Sequence, residues 1–512
     1  MSGRDCIAAY DLGTGGLKAS LLCPEGALIA DVFVPYGTFY PASGFREQRP
    51  GDWWEAVCHA TARLLEENPG SSVIAAAISG QSIAPVLLDR EGELILEQIP
   101  IWSDTRAVEE AADFFGRQDY TEWYMATGNG DPSETYTVMK LMWLKKNNPV
   151  AWAHLGKVVG SKDYINFRLT GEIATDFSYA SGSGVFDLKE LCYRDDFLRA
   201  AGISGDILPE LADSHHIVGR VHSEAAAATG LPQGIPIACG GVDNACMALG
   251  AVGIGEGRSY TSLGSSAWIA VTSRQPILDT ASRPFIFAHA ERGYYTSGVS
   301  IFSAGNAYRW AAERLCGDIH EATRYADMDK AAASVQPGAG GLLFCPALAG
   351  GSSQEPGAEL SGSFVGLGMG TTRAELLRSV LEGVALSLNC HCLEALKKHC
   401  DLDSDMLLCG GGAKSSLWNQ IFADIFGMDI VLRGGEQSTA SLGAGAIAAR
   451  AVGLWSDYSP LDKLYTETER YRPDPGRRER YSRLGEIYTE WTQSILATCG
   501  KLQGLEREGR AQ

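Results

Sequence analysis

The chain has 512 residues, 45% of them apolar and 21% charged, a composition that fits a soluble protein too long for a single core. A formal charge of −19 excludes the basic surface that a nucleic-acid binder needs to displace counterions. No apolar run approaches the roughly 20 residues that span a bilayer, and the first strand follows Met1 too closely for a secretory signal.

The predicted elements begin with a hairpin. Ala8 to Leu12 and Leu17 to Leu22 are apolar runs joined by Gly13-Thr14-Gly15-Gly16, and Ala27 to Val34 adds a third strand to the meander. Asp52 is placed to cap a helix running to Leu65. Val73 to Ile78 is a strand buried on both faces, ending at Ser79-Gly80-Gln81-Ser82. Helices are predicted over Tyr136 to Lys146 and Lys162 to Leu169. Ile235 to Cys239 is a buried strand closed by Gly240-Gly241, and Asp243 opens a helix through Leu249.

The Gly-rich stretch from Gly250 to Gly257 is the predicted boundary between domains 1–253 and 254–512. Immediately after it the first motif returns as Thr261-Ser262-Leu263-Gly264-Ser265-Ser266-Ala267, again a turn between apolar runs. Thr372 and Glu375 have capping-box spacing at the head of a long helix. The strand Met406 to Cys409 and the turn Gly410-Gly411-Gly412-Ala413 precede a helix from Trp418 to Phe426. A terminal helix follows, with a loose tail expected from Gln503. The 13 cysteines, odd in number and scattered through apolar segments, predict reduced thiols and a cytoplasmic protein.

Two facing turns of glycine and hydroxyl residues present N–H and O–H groups that suit phosphate oxygens. They differ in one respect: Asp11 in the first stands where Ser262 stands in the second. Only the first turn therefore carries a carboxylate that could hold Mg²⁺, directly or through water. Asp243, after a buried strand and two glycines, has two readings: an ordinary helix cap, or a general base at the mouth of a crevice. Gly410 to Ser416 is not a P-loop, since Ala413 stands where that motif has glycine. Cys390-His391-Cys392 puts its side chains on different helix faces and is read as core, not as a metal site.

Taken in order, these segments resemble the FGGY family of carbohydrate kinases, and within it the xylulokinase-like members. The resemblance rests on Asp11-x-Gly13-Thr14-x-x-x-Lys18, Gly80-Gln81, Trp102-x-Asp104-x-Arg106 and Lys162-Asp163-Tyr164. It continues through Thr170-Gly171-Glu172-x-Ala174-Thr175-Asp176, Gly240-Gly241-Val242-Asp243-Asn244, Leu263-Gly264-Ser265-Ser266, Gly410-Gly411-Gly412-Ala413 and Ser441-Leu442-Gly443-Ala444-Gly445-Ala446. It implies an α/β fold of two actin-like, ribonuclease-H-type domains, with sugar and ATP held in the cleft between them. It further implies that Asp243 is the catalytic base, Asp11 the acid on the metal side, and Gly13, Thr14, Lys18, Gly264 and Ser265 the phosphate contacts. Gly411, Gly412, Ala413 and Asn419 fall on the nucleotide site. Gln81, Ser82, Ile83, Trp102, Asp104, Arg106 and Asn244 fall on the sugar side.

The activity so implied is ATP-dependent phosphorylation of a terminal hydroxyl of a small ketose or polyol, with Mg²⁺, in a chain that can pair as a homodimer. The competing reading is an actin-like or chaperone-like ATPase using nucleotide as a conformational switch; Gln81, Trp102, Asp104 and Arg106 argue against it. One departure bears on the substrate. Xylulokinases commonly have Met-His after the Gly-Gln that ends the strand, and this chain has Ser82-Ile83. D-xylulose is therefore expected to be a poor substrate.

Overall fold

The computed structural model describes residues 4–434 and 438–510. Its first half is built on β1 (Arg4–Leu12), β2 (Gly16–Leu22), β3 (Leu28–Pro35), α1 (Pro50–Glu67) and β4 (Ser71–Gly80). It continues with α2 (Thr137–Asn147), α3 (Ser161–Thr170), β5 (Ile217–Arg220), β6 (Pro236–Ala238) and α4 (Asp243–Val252). The second half contains β7 (Ser259–Leu263), β8 (Ala267–Ser273), β9 (Phe285–Ala288), β10 (Tyr295–Ile301), α5 (Gly305–Leu315), α6 (Arg373–Ser387) and β11 (Asp405–Cys409). It ends with α7 (Ser416–Phe426), β12 (Asp429–Arg433), α8 (Thr439–Ala451), β13 (Glu467–Tyr471) and α9 (Pro475–Arg510).

The duplication extends from the turns to whole sheets. The first sheet runs β5-β6-β4-β1-β2-β3 and the second runs β13-β12-β11-β7-β8-β10, with β9 added at its edge. Each has an antiparallel meander at one side, a parallel strand beside its first strand, and an antiparallel pair at the far end. β4 is buried on both faces because its alanines and Ile78 meet helices above and below, which is why it reads as a continuous apolar run.

One helix of each half packs against the sheet of the other. α8 lays Ala444 and Ile447 on Ile7, Ala9, Ala75 and Ala77 of the first sheet. α4 lays Ala248, Ala251 and Val252 on Tyr260, Ala270 and Leu407 of the second. The two helices cross antiparallel, with Gly250 against the Thr439 carbonyl and Gly443 against the Cys246 carbonyl, so close that a Cβ at either glycine would collide.

Two local expectations, the cap of α1 and the loose tail, need correction, and the helix carrying Cys390-His391-Cys392 departs from α geometry without leaving the core. α1 starts at Pro50 with Arg49 at its cap, and Asp52 lies in its first turn; proline suits that position because its missing N–H would be unbonded there anyway. α6 passes into a π-turn at Leu388–Leu393, which carries Cys390-His391-Cys392. His391 bonds Thr492 at 3.2 Å, and burial pushes its pKa down to about 4. α9 continues through Gln503, whose amide bonds the Glu359 carbonyl. Among the described residues there is no cluster able to hold a metal through three His, Cys, Asp or Glu side chains. No helix among them is long and apolar enough to cross a membrane.

Candidate active site

Asp11 occupies the end of β1, paired across the strands with Lys18 on one side and Ser79 on the other. The Ser79 hydroxyl donates to its carboxylate at 3.1 Å. Burial pushes the Asp11 pKa up to about 6, against the opposing pull of Ser79 and Lys18. Lys18 also lies 3.9 Å from Asp31. At the matching place in the second half, Ser262 pairs with Cys409, so the acid and its hydroxyl partner are both absent there.

The Gly13-Thr14 turn is held from several directions. Tyr36 donates to the Gly13 carbonyl, Gln48 Nε2 to the Thr14 carbonyl at 2.7 Å, and the Trp102 indole to the Thr14 hydroxyl at 2.9 Å. The second turn is braced by the start of α5, where Gly305 donates to the Gly264 carbonyl and Ala304 and Asn306 to that of Ser265. Gly410, at φ +94°, bends the β11–α7 connection against Leu263 and leaves the neighbouring Gly411 exposed. Asn419 fixes this bend by donating to the Ala413 carbonyl at 2.8 Å; both side chains are buried, and Gly412 packs on Leu263.

Asp243 begins α4 directly after the two-residue strand Gly241–Val242, which pairs with Ser79 and Gly80. Its carboxylate accepts from the Asn244 N–H at 2.9 Å, with Asn244 partly exposed beside it. Burial, and then the Asp11 charge, push the Asp243 pKa up to about 7. Behind it lies a directional chain whose Lys162 and Asp176 stand in the sequence motifs, but whose Ser178 and whose connection to Asp243 the sequence did not disclose. The Val242 N–H donates to Ser178 Oγ at 3.0 Å, and that hydroxyl donates to Asp176 at 2.5 Å. Asp176 in turn pairs with Lys162 at 3.1 Å, and all three side chains are fully buried. Lys162 also bonds Asp163 at 2.5 Å and the Cys239 carbonyl at 3.1 Å, so the segment leading to Asp243 is latched from below.

The residues expected on the sugar side divide into two groups. Trp102 is 47% exposed and presents its ring to solvent. Asp104 and Arg106 face each other: Asp104 accepts from Arg46 N, Arg106 N and the Arg106 guanidinium, which also pairs with Glu47 at 2.6 Å. That guanidinium lies 3.8 Å from the Phe45 ring centre. Their charges are spent on one another, so they stiffen the loop under Trp102. Gln81 is buried and donates to Gln48 at 2.8 Å. Ser82 and Ile83 are 8% and 9% exposed.

Ile83 adopts φ +59°, a left-handed conformation costly for a β-branched residue. Its side chain joins the apolar cluster with Leu87 and Val138, and its carbonyl accepts from Lys140 at 3.0 Å. Lys140 also bonds the Ile101 carbonyl at 2.6 Å, tying the strand end to the Trp102 loop; burial pushes its pKa down to about 7. Lys140 and Gln48 carry no motif signal in the sequence, because their roles depend on partners far along the chain.

Residues 6–250 match the model of the FGGY family of carbohydrate kinases, N-terminal domain, and residues 259–452 match that of its C-terminal domain. The chain is 29% identical to a xylulose kinase of Staphylococcus xylosus, over 94% of this chain and 98% of that protein. The crystal structure of ligand-bound xylulose kinase from Lactobacillus acidophilus superimposes with a TM-score of 0.90 at 27% identity, covering 97% of this chain and 100% of that one. A gluconate kinase from the same organism superimposes with the same TM-score and identity, covering 97% and 99%.

Proposed function

The chain belongs to the FGGY family of carbohydrate kinases and is an ATP-dependent sugar kinase, and on that premise we propose that it phosphorylates a terminal hydroxyl of a small ketose or polyol. The observation that supports this reading best is the pair of carboxyls at the strand ends. Asp243, raised to about 7, suits a base that must accept a proton near neutral pH, while Asp11 beside it suits the phosphate side.

In this reading Asp243 takes the proton of the sugar hydroxyl as its oxygen attacks the γ-phosphorus in line. Residues 1–253 hold the sugar, and residues 254–512 hold the nucleotide. The Gly13-Thr14 turn with Lys18 and the Gly264-Ser265 turn steady the phosphates from opposite sides. Gly411, Gly412 and Ala413, shaped by Asn419, lie against the adenosine. Trp102, Ser82 and Asn244 line the sugar, and Gln81, Ile83, Asp104 and Arg106 set that wall from behind. A half-buried carboxylate whose only described hydroxyl donor is Ser79 fits Mg²⁺, which when bound near Asp11 would neutralise charge on the transferring phosphates.

The test is ADP release with ATP and Mg²⁺ over a panel of D-xylulose, D-ribulose, glycerol and D-gluconate, the last included because one structural neighbour is a gluconate kinase. Stimulation by a ketose or glycerol supports the reading. Stimulation by gluconate alone replaces the substrate class, and turnover indifferent to every sugar overturns it.

A further inference from the structure

Thr14 is gripped entirely by groups that approach from the sugar side, and the chemistry of those groups fixes their direction. An indole N–H can only donate and a carbonyl can only accept. The Trp53 indole donates to Gln48 Oε1 at 3.0 Å, so Gln48 must present its Nε2 to Thr14, where the carbonyl accepts it at 2.7 Å. Gln81 must then turn its own Nε2 to Gln48 Oε1, at 2.8 Å. Trp53, Gln48 and Gln81 are all 0% exposed, so water cannot substitute for any member. The Gln81 N–H in turn bonds the Leu12 carbonyl at 2.9 Å, two residues before Thr14.

The other grip differs in kind. Trp102 holds the Thr14 hydroxyl at 2.9 Å but is 47% exposed, so it is the movable member of the set. While the indole donates, the Thr14 hydroxyl must direct its own proton elsewhere. A ligand stacked on the Trp102 ring fixes the indole, and through it the hydroxyl.

We propose that Gln48 and Trp102 are positioning residues that couple the two substrates, Gln48 as the fixed post of the Thr14 turn and Trp102 as the arm that sets it when sugar is bound. The proposal rests on the reading above, in which Thr14 faces phosphate and Trp102 faces sugar. Its consequence concerns the acceptor. In productive turnover the bond from the γ-phosphorus to the ADP oxygen breaks, a bond to the sugar oxygen forms, and the hydroxyl proton passes to Asp243. In uncoupled turnover a water oxygen takes the sugar's place, gives one proton to Asp243 and yields inorganic phosphate. A correctly set Thr14 favours the first.

The experiment measures ADP and sugar phosphate in parallel for the wild type, Trp102→Phe and Gln48→Glu. The probe is whichever of D-xylulose, D-ribulose, glycerol and D-gluconate gives the wild type its highest kcat/KM. Trp102→Phe keeps an aromatic face while losing the N–H and the second ring that carries it; it should lower kcat about tenfold with sugar KM changed less than about threefold. The ratio of ADP to sugar phosphate should rise from about one to about two or more. Gln48→Glu turns an oxygen towards the Thr14 carbonyl and should uncouple in the same way. Its ratio should fall back as the pH drops and the carboxyl regains a proton to donate. A ratio that stays at one in both folded variants overturns the proposal, and Trp102→Phe decides alone if Gln48→Glu does not fold. Absence of sugar-stimulated turnover in the wild type is a different failure, that of the underlying reading.

Discussion

The carboxyl of Asp11 opposes the ionisation of Asp243, although the two lie 232 positions apart and on different elements. Burial is the larger cause of the raised Asp243 pKa and Asp11 the second. Together they hold the proposed base at about 7, where a proton acceptor is half ionised at physiological pH.

The activity should therefore fall on the acid side, since only the ionised Asp243 accepts a proton. Measured as kcat/KM, it should drop about tenfold per unit below an apparent pKa near 7. Asp11→Asn removes the opposing charge, so the acid limb of whatever activity remains should move to lower pH. An unmoved limb would show that the two carboxyls do not communicate.

Asp243→Asn keeps the shape of the side chain and removes the acceptor, and should lower kcat by about 10²–10⁴-fold with sugar and ATP binding changed only a few-fold. The same variant makes a stability prediction of definite sign. A carboxyl raised from 3.8 to about 7 binds its proton more tightly in the folded chain, so folding loses stability as pH rises between those values. Asp243→Asn should then melt higher than the wild type at pH 8, with the difference gone below about pH 4. Near-normal turnover together with an unchanged melting temperature at pH 8 would leave Asp243 a purely structural role in the first turn of α4, where Val242 holds the cap position.

The duplicated turns supply a matched pair of substitutions. Asp11→Ala should cut turnover sharply and weaken its dependence on Mg²⁺, because the transferring group loses its anchor. Ser262→Ala, at the equivalent place beside Cys409, should be mild. Kinetics against Mg²⁺ concentration would expose equal damage in both, and with it a site that treats its two halves alike.

Ser82 and Ile83 bear on the choice of sugar. A site lacking a donor for one sugar hydroxyl leaves it unpaired at a cost of about 1–3 kcal/mol, so D-xylulose should be a weak substrate. Ser82→Met with Ile83→His should shift kcat/KM towards D-xylulose. Histidine tolerates the left-handed conformation at position 83 better than isoleucine does, but places a polar ring where Ile83 joins an apolar cluster. The double variant should therefore melt lower than the wild type when free and recover part of the loss with D-xylulose. A wild type that already prefers D-xylulose would refute the argument from this pair.

What could be read from the sequence was whatever repeats or sits in a short pattern. The two Leu-Gly-Thr/Ser turns announced duplicated hairpins, and the structure extends that likeness to the order and direction of six strands in each sheet. Thr372 and Glu375 form the capping box that their spacing predicts. Contacts between distant side chains left no such trace. Gln48 bonds Thr14, 34 positions earlier, and Gln81, 33 later, and nothing around it marks it out. Asp104 and Arg106 illustrate the converse: they stand two residues apart in a motif, yet the motif does not disclose that they bond each other and that Arg106 also pairs with Glu47. The π-turn after α6 was equally invisible, because an apolar helical stripe does not record where the bonding slips by one residue.

The glycine crossing of α4 and α8 has a further effect, on the dimensions of the molecule. Where most packed helices are held apart by side chains, Gly250 and Gly443 bring backbone against backbone, so two missing side chains set the gauge between the halves. α4 begins at Asp243, about 10 Å from Gly250 at 1.5 Å per residue, so the proposed base hangs from the same short axle. Adding a single methyl group at either crossing point must widen the gauge or tilt the axle. These two positions are therefore as constrained as any that touch a ligand, and their constraint comes from the thickness of a backbone alone.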